Sequence, residues 1–100
     1  MTTHQKSVRS HADVPTGRGE RWLKQLASHL GRKCEVQRDG DTTLLLLAGG
    51  SCAMTCDATA LRLAATGPDE DTLSQVQLVV GGHLERFAAA EGLRVVWRRG

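Results

Sequence analysis

The sequence is poor in aromatic residues, and this shortage bears on the partners it can recognise. Only three of its 100 residues are aromatic, two Trp and one Phe, and there is no Tyr. Proteins that bind single-stranded nucleic acid stack bases on aromatic side chains and follow the phosphates with clustered cations. The longest basic run in this chain is two residues. We therefore do not expect nucleic acid as a partner.

Long apolar segments and paired cysteines are also missing. The longest apolar run, 44–48, is far shorter than the roughly 20 residues that a membrane span needs, and the first ten residues lack the apolar core of a signal peptide. Three cysteines, Cys34, Cys52 and Cys56, are an odd number, which is typical of reduced thiols rather than of a disulfide framework. We expect a cytoplasmic protein without a membrane span.

Motifs of known chemistry are absent as well. The chain has no CxxC, HExxH, GxGxxG, GxSxG or Walker-type phosphate loop. Cys52 and Cys56 have a spacing that suggests metal binding, but they lie in an alternating segment that predicts a strand, where four residues span roughly 13 Å. That is too far for one zinc ion with Zn–S bonds of about 2.3 Å. No nucleophile–base pair or carboxylate pair stands out, so we expect no catalytic residues, and an enzyme is the least supported class of function.

Size and charge favour one small domain with an uneven surface. A chain of 100 residues with 40% hydrophobic content has enough apolar material for one two-layer core. Residues 1–6 are polar and unpatterned, which predicts a disordered tail before a single domain over residues 7–99. Residues 1–33 carry seven Lys and Arg against two acidic residues, whereas residues 34–91 carry three against nine. The basic segment could contact an anion or an acidic partner.

Hydrophobic periodicity predicts eight elements in the order β-α-β-β-β-β-α-β. The expected fold is α+β, a two-layer sandwich in which a mainly antiparallel sheet carries two helices on one face. The predicted strands are 7–14, 34–38, 42–48, 51–57, 59–66 and 93–99, and the predicted helices are 19–30 and 69–91.

The alternation within these strands predicts a core and an uncovered face. The expected core residues are Trp22, Leu26, Leu30, Leu46, Met54, Leu61, Leu63, Val76, Val80, Leu84, Phe87, Val95 and Trp97. The face away from the helices is expected to expose Leu45, Leu47, Ala53, Ala60, Ala64 and Val96. Such an apolar face needs a cover, for which a homodimer is the simplest form and a flat hydrophobic ligand the other.

Two adjacent glycines, Gly81 and Gly82, interrupt the second predicted helix. The apolar stripe stays in phase from Leu73 to Phe87, which favours one continuous helix in which the glycines cost about 1 kcal/mol each relative to Ala. Replacing both with Ala is then expected to stabilise the protein. The alternative is that a ligand approaches their backbone closely, in which case the replacement impairs binding.

Two histidines lie on the core-side flanks of the two predicted helices. His83 falls inside the apolar stripe of the second helix, and His29 lies one heptad after Trp22 on the first. Because both helices cover the same sheet, the two imidazoles could approach each other. The ordinary interpretation is that each is a partly buried histidine bonded to backbone or to a carboxylate. The sharper one makes them paired metal ligands or a proton-transfer pair.

Two segments of the chain resemble a known family. The stretches Trp22-Leu23-Lys24-Gln25-Leu26 with His29 and His83-Leu84-Glu85-Arg86-Phe87-Ala88 with Trp97 are similar to the uncharacterised bacterial family named domain of unknown function 2218. The resemblance implies a small α+β protein without an assigned activity, some of whose members lie near iron- or siderophore-uptake genes. Within these segments we take five residues as a candidate functional surface, namely Trp22, Lys24, Gln25, Glu85 and Arg86.

The resemblance is incomplete where a metal site would be richest. The family often has a second histidine shortly after the first, where this chain has Arg32-Lys33, and an arginine before the glutamate near position 91, where it has Ala90. Two classes of function remain. The first is a non-enzymatic accessory or ligand-binding domain, and the second is a metal- or haem-handling protein that uses His29 and His83, with Cys34 as a further candidate ligand. No particular cofactor is indicated.

Overall fold

The computed structural model describes residues 7–100, so the expected tail over 1–6 lies outside the described residues. The predicted α+β architecture and element order are confirmed, with a short 3-10 turn, Ala89–Glu91, inserted after the second helix. The strands are β1 Val8–Pro15, β2 Glu35–Asp39, β3 Thr42–Leu47, β4 Gly50–Cys56, β5 Ala60–Gly67 and β6 Arg98–Arg99, and the helices are α1 Gly19–Leu30 and α2 Glu70–Phe87.

The six strands form one antiparallel sheet in the order β2-β3-β4-β5-β1-β6. Two-residue connections join β2 to β3 and β3 to β4, because Asp39 pairs with Thr42 and Leu47 with Gly50. In the second connection both residues, Ala48 and Gly49, have positive φ angles, of 55° and 87°. This backbone matches the right-handed twist of a tight hairpin, although Ala tolerates it poorly.

The helices pack on one face of the sheet, and the core lies between the two layers. The side chains of β4 and β5 that were predicted to lie in the core, Met54, Leu61 and Leu63, are buried, and Ala12 and Val14 of β1 are buried as well. In β3 the prediction was wrong: Leu45 is fully buried under the helices and Leu47 packs partly buried against the core, whereas Leu46 lies on the uncovered face with Leu44. Ala60, which was also expected to be exposed, is buried. Leu45 pairs with Cys52, and cross-strand partners share a face, so the pairing with β4 decides the register.

Helix α2 is continuous through Gly81 and Gly82 and ends at Phe87, before the predicted end at 91. Its N-cap is Asp69, whose carboxylate accepts a hydrogen bond from the N–H of Thr72 at 2.8 Å. The buried side of the helix contains Leu73, Val76, Val80, Gly81 and Leu84, which is the predicted stripe with Gly81 added and with Phe87 only partly buried. No helix within residues 7–100 is both long and apolar enough to cross a membrane.

The predicted last strand over 93–99 was largely wrong, because only Arg98–Arg99 join the sheet, beside β1. Residues 93–97 instead run along α2, where the Glu85 carboxylate accepts the N–H of Val95 at 2.9 Å. Val95 and Trp97 pack against the core but stay only partly buried, as does Phe87. The Glu85 side chain thus accepts the backbone hydrogen bond that a neighbouring strand would accept if this segment were in the sheet.

Candidate functional site

The two histidines come together because α1 and α2 lie side by side on the sheet. His29 is in the last turn of α1 and is exposed, whereas His83 is three turns into α2 and half-buried. Leu26 and Leu30 are buried and mark the side of α1 that faces the sheet, and Leu84 marks that side of α2. Each histidine lies beside these buried positions, on the flank of its helix that faces the other helix. The expectation that the two imidazoles approach each other is confirmed.

Three aromatic rings form a compact cluster at this point. The ring centres of His29 and His83 are 5.0 Å apart, with a tilt of 46° between the ring planes. Phe87, one turn after His83 on α2, makes edge-to-face contacts with both histidines, with ring centres 5.3 Å from His29 and 5.9 Å from His83. Edge-to-face contacts of this kind fix ring orientations. The phenyl ring therefore forms an apolar wall on one side of the imidazole pair.

A backbone hydrogen bond orients the His83 ring. Its Nδ1 lies 2.6 Å from the carbonyl oxygen of Val79, one turn earlier in α2. A carbonyl oxygen can only accept, so Nδ1 carries the hydrogen, and the neutral ring leaves the Nε2 lone pair free. Metal-binding histidines are commonly held in the same way, with the second nitrogen bonded to a backbone carbonyl. The ordinary interpretation of His83, a histidine bonded to backbone, is confirmed, and it is compatible with a ligand at Nε2.

Beside the two imidazoles is a cavity of about 490 Å³, which we call the histidine cavity. It opens at the end of the sheet, between the last turn of α1, the segment that leads into β2, the β3–β4 turn and the middle of α2. Its lining residues are His29, Leu30, Arg32, Lys33, Cys34, Leu46, Leu47, Ala48, Val79 and His83. The floor is apolar, and every strongly charged lining residue is a cation.

Arg32 and Lys33 are the lining residues whose role the sequence did not predict. The sequence indicated only that the basic segment 1–33 could contact an anion, and cations just after a helix end are common for local reasons alone. The 31–34 turn, closed by backbone hydrogen bonds from Lys33 and Cys34 to the Leu30 carbonyl, brings both into the wall of the cavity. The available signal was the local excess of basic residues, because no acidic residue lies between Glu20 and Glu35.

Cys34 lines the cavity but does not complete a metal site with the histidines. Among residues 7–100, no three His, Cys, Asp or Glu side chains are grouped so that they could hold one metal ion. Burial raises the pKa of the Cys34 thiol, which disfavours the thiolate that metals bind. The suggestion of Cys34 as a further ligand is therefore not supported, and any metal here would have two protein ligands.

The candidate functional surface taken from the family resemblance lies outside this cavity. Trp22 is buried, and its Nε1 donates to the Glu91 carboxylate at 3.4 Å. Lys24 pairs with Glu20 on the exposed side of α1, where Gln25 also lies, and Glu85 holds the C-terminal segment. Arg86 is exposed near the end of α2. None of the five lines the histidine cavity, and their function as a surface stays a prediction.

Comparison with known proteins gives a family but no activity. A family model described as an uncharacterized protein conserved in bacteria, DUF2218, matches residues 11–98, which include the whole histidine cavity. The NMR structure of PA4090 from Pseudomonas aeruginosa is similar, with a TM-score of 0.75 and 30% sequence identity. The match covers 91% of this chain and 95% of that chain. No curated protein matches.

Proposed function

Since the chain belongs to the uncharacterised bacterial family DUF2218, whose membership assigns no activity, we propose from its cavity that it is a non-enzymatic domain that binds a small organic anion. One observation carries the proposal. The histidine cavity contains Arg32, Lys33 and two imidazoles but no carboxylate. A concave site lined by one sign of charge concentrates ligands of the opposite sign.

The shape and lining of the cavity narrow the class of anion. A volume of about 490 Å³ is within the ordinary range for small-molecule sites. Leu30, Leu47 and Val79 provide apolar contacts, so the ligand has a hydrophobic body. Arg32 can pair with a carboxylate in a bidentate manner, and Lys33 adds a second charge. We therefore expect an anion with a carboxylate head and an apolar or aromatic body.

Three matched probes test this assignment by NMR titration of the isotope-labelled protein. Benzoate, benzyl alcohol and benzylamine share a phenyl ring and differ in charge. We expect benzoate at millimolar concentration to shift the amide signals of Lys33, Cys34, Ala48 and His83, benzyl alcohol to do so more weakly, and benzylamine not at all. Equal shifts with benzylamine, or benzoate shifts confined to other surfaces, would refute the proposal.

A metal-handling function is the second candidate, and the imidazole pair favours it. With metal–nitrogen bonds of about 2.0–2.1 Å, two imidazoles on one tetrahedral ion have ring centres about 5 Å apart. The observed 5.0 Å between His29 and His83 agrees with this arrangement. Arg32 and Lys33 work against it, because they repel a cation. For that reason we rank the metal below the anion.

Calorimetric titration with Zn²⁺ separates the two candidates. If the imidazoles bind metal, His29→Ala and His83→Ala abolish the binding, whereas His11→Ala does not. His11 is a suitable control because it is an exposed histidine on β1, where its Nδ1 lies 3.0 Å from the Gly100 carbonyl oxygen. Absence of Zn²⁺ binding, or equal loss in all three variants, would rule out the metal function and leave the anion proposal intact.

Three finer expectations belong with these candidates. Two axial imidazoles on opposite sides of a haem iron have ring centres about 6 Å apart, so the 5.0 Å between His29 and His83 does not suit a haem held between them.

The link to iron or siderophore uptake stays a prediction, which titration with an iron chelate of negative charge would test. The cytoplasmic location also stays a prediction, supported by three unpaired cysteines.

A further inference from the structure

The face of the sheet away from the helices is divided by charge from one edge to the other. We call the part of it on β2, β3, β4, β5 and β1 the open face. On β2 it carries Glu35 and Asp39, and on β1 it carries Arg9, His11 and Asp13, with Arg98 of β6 beside His11. Between these edges it has the half-buried Leu44 and Leu46, together with Ala53 and Ala64.

Strand pairing arranges these side chains in rows across the sheet. The first row runs Glu35, Leu46, Ser51, Thr66, Arg9, and the second runs Gln37, Leu44, Ala53, Ala64, His11. The third row contains Asp39 at one end and Asp13 at the other, with Arg62 next to Asp13. In each of the first two rows, apolar or small side chains therefore lie between two polar end residues of different chemical type.

We infer that the open face binds a second copy of this chain about a two-fold axis that runs parallel to the strands over β4. Such an axis keeps each row in register and exchanges its ends. Glu35 of each copy then lies over Arg9 of the other, Leu46 over Thr66, and Leu44 over Ala64. A symmetric interface must be self-complementary in this way.

The alternative two-fold arrangements are worse matched. An axis perpendicular to the strands exchanges the first and third rows, which puts Arg9 over Asp13 of the other copy but also Glu35 over Asp39. No cation of the open face lies beside that second, acidic pair, so its repulsion is not offset. An axis between β4 and β5 puts the leucines of β3 over the charged strand β1. The chosen arrangement has one kind of unfavourable contact, Asp39 over Asp13, which occurs twice per dimer and which Arg62 offsets because its Nε lies 3.9 Å from Asp13.

The size of the open face sets the expected strength of the dimer. Five strands about 4.8 Å apart and three rows of residues cover roughly 20 by 20 Å, on the order of 400 Å² per copy. A standard interface buries about 800 Å² per partner. We therefore expect a weak dimer, with a dissociation constant on the order of 100 μM, whose charged contacts weaken as salt is added.

Sedimentation equilibrium at low ionic strength tests whether the protein dimerises through the open face. We expect the wild type to change from monomer to dimer between about 10 μM and 1 mM. Leu44→Lys should abolish association, whereas Leu78→Lys should not, because Leu78 is a leucine with 71% exposure on the outer side of α2. A wild type that stays monomeric to about 1 mM, or dimerisation lost with Leu78→Lys and kept with Leu44→Lys, would overturn the proposal.

Charge-reversal variants test the position of the two-fold axis, which brings Glu35 of one copy over Arg9 of the other. Glu35→Lys and Arg9→Glu should each weaken self-association roughly tenfold or more, because each places like charges together twice per dimer. A mixture of the two variants should associate at least as well as the wild type, since both of its contacts then join opposite charges. The double variant should also recover self-association. A mixture that associates no better than either variant alone would refute the arrangement.

Discussion

The carboxylate of Glu85 accepts the backbone N–H of Val95 at 2.9 Å and so fastens the C-terminal segment to α2. Glu85→Ala removes the acceptor for a partly buried amide, and we expect a loss of about 1.5 kcal/mol in the free energy of unfolding. Glu85→Gln keeps an oxygen that can accept and should lose less. Hydrogen exchange should show faster exchange at Val95 in the alanine variant. Unchanged exchange at Val95 would contradict this role.

The glycine pair now calls for two different expectations. A Cβ at Gly82 meets nothing within 4 Å, whereas one at Gly81 lies 3.2 Å from the Trp97 Nε1. We expect Gly82→Ala to stabilise the protein by about 1 kcal/mol, since Ala is the better helix former. Gly81→Ala should gain less or destabilise, because Trp97 must move. Urea unfolding of the two single variants measures the difference, and equal gains would show that Trp97 moves freely.

The β3–β4 turn contains a residue that its backbone does not suit. Ala48 has a φ of 55°, a left-handed conformation that costs a residue with a Cβ roughly 1 kcal/mol. We expect Ala48→Gly to stabilise the protein modestly, by about 0.5 kcal/mol after the added flexibility of the unfolded chain is included. Ala53→Gly, inside β4, is the control and should destabilise. A lower melting temperature for Ala48→Gly would mean that the turn is not under strain.

Acid should weaken the β4–β5 turn through Asp57. Its carboxylate accepts the N–H groups of Thr59 and Ala60 at 2.8 and 3.0 Å and contacts Arg62 at 2.5 Å. The Arg62 guanidinium first, and then these backbone N–H groups, hold the pKa of Asp57 well below its usual range. A lowered pKa in the folded state stabilises the protein above the unfolded pKa of about 3.9, and this contribution is lost as the pH falls below it.

Asp57→Asn tests this dependence by urea unfolding at several pH values. The variant should be less stable than the wild type at pH 7, and the difference should shrink as the pH falls from about 5 to about 2. A difference that stays constant over this range would show that the charge of Asp57 does not contribute.

Much of the fold follows from periodicity, and the failures have physical causes. Helix α1 and the approach of His29 to His83 were predicted because each depends on spacing within one helix and on both helices covering one sheet. The register of β3 was missed because four consecutive leucines give both faces apolar side chains, so alternation carries no information there. Only the pairing of Leu45 with Cys52 determines which leucines face the helices.

The C-terminal segment and the cavity wall were missed for a different reason. Alternation over 93–97 fits a strand, but the partner of that backbone is a carboxylate on α2, which periodicity does not show. Arg32 and Lys33 follow a helix end, where cations are common for local reasons. Their place in the cavity depends on the β3–β4 turn and on α2, which are distant in sequence.

The most direct test of the account is benzoate binding by a charge-reversed cavity. In Arg32→Glu with Lys33→Glu, NMR titration should show that the benzoate shifts at the histidine cavity disappear. The control, Arg38→Glu with Arg94→Glu, changes the net charge equally at two exposed arginines outside the cavity and should bind benzoate nearly as well as the wild type. Loss of binding in both variants to the same extent, or retention in the first, would contradict the assignment of the cavity as an anion site.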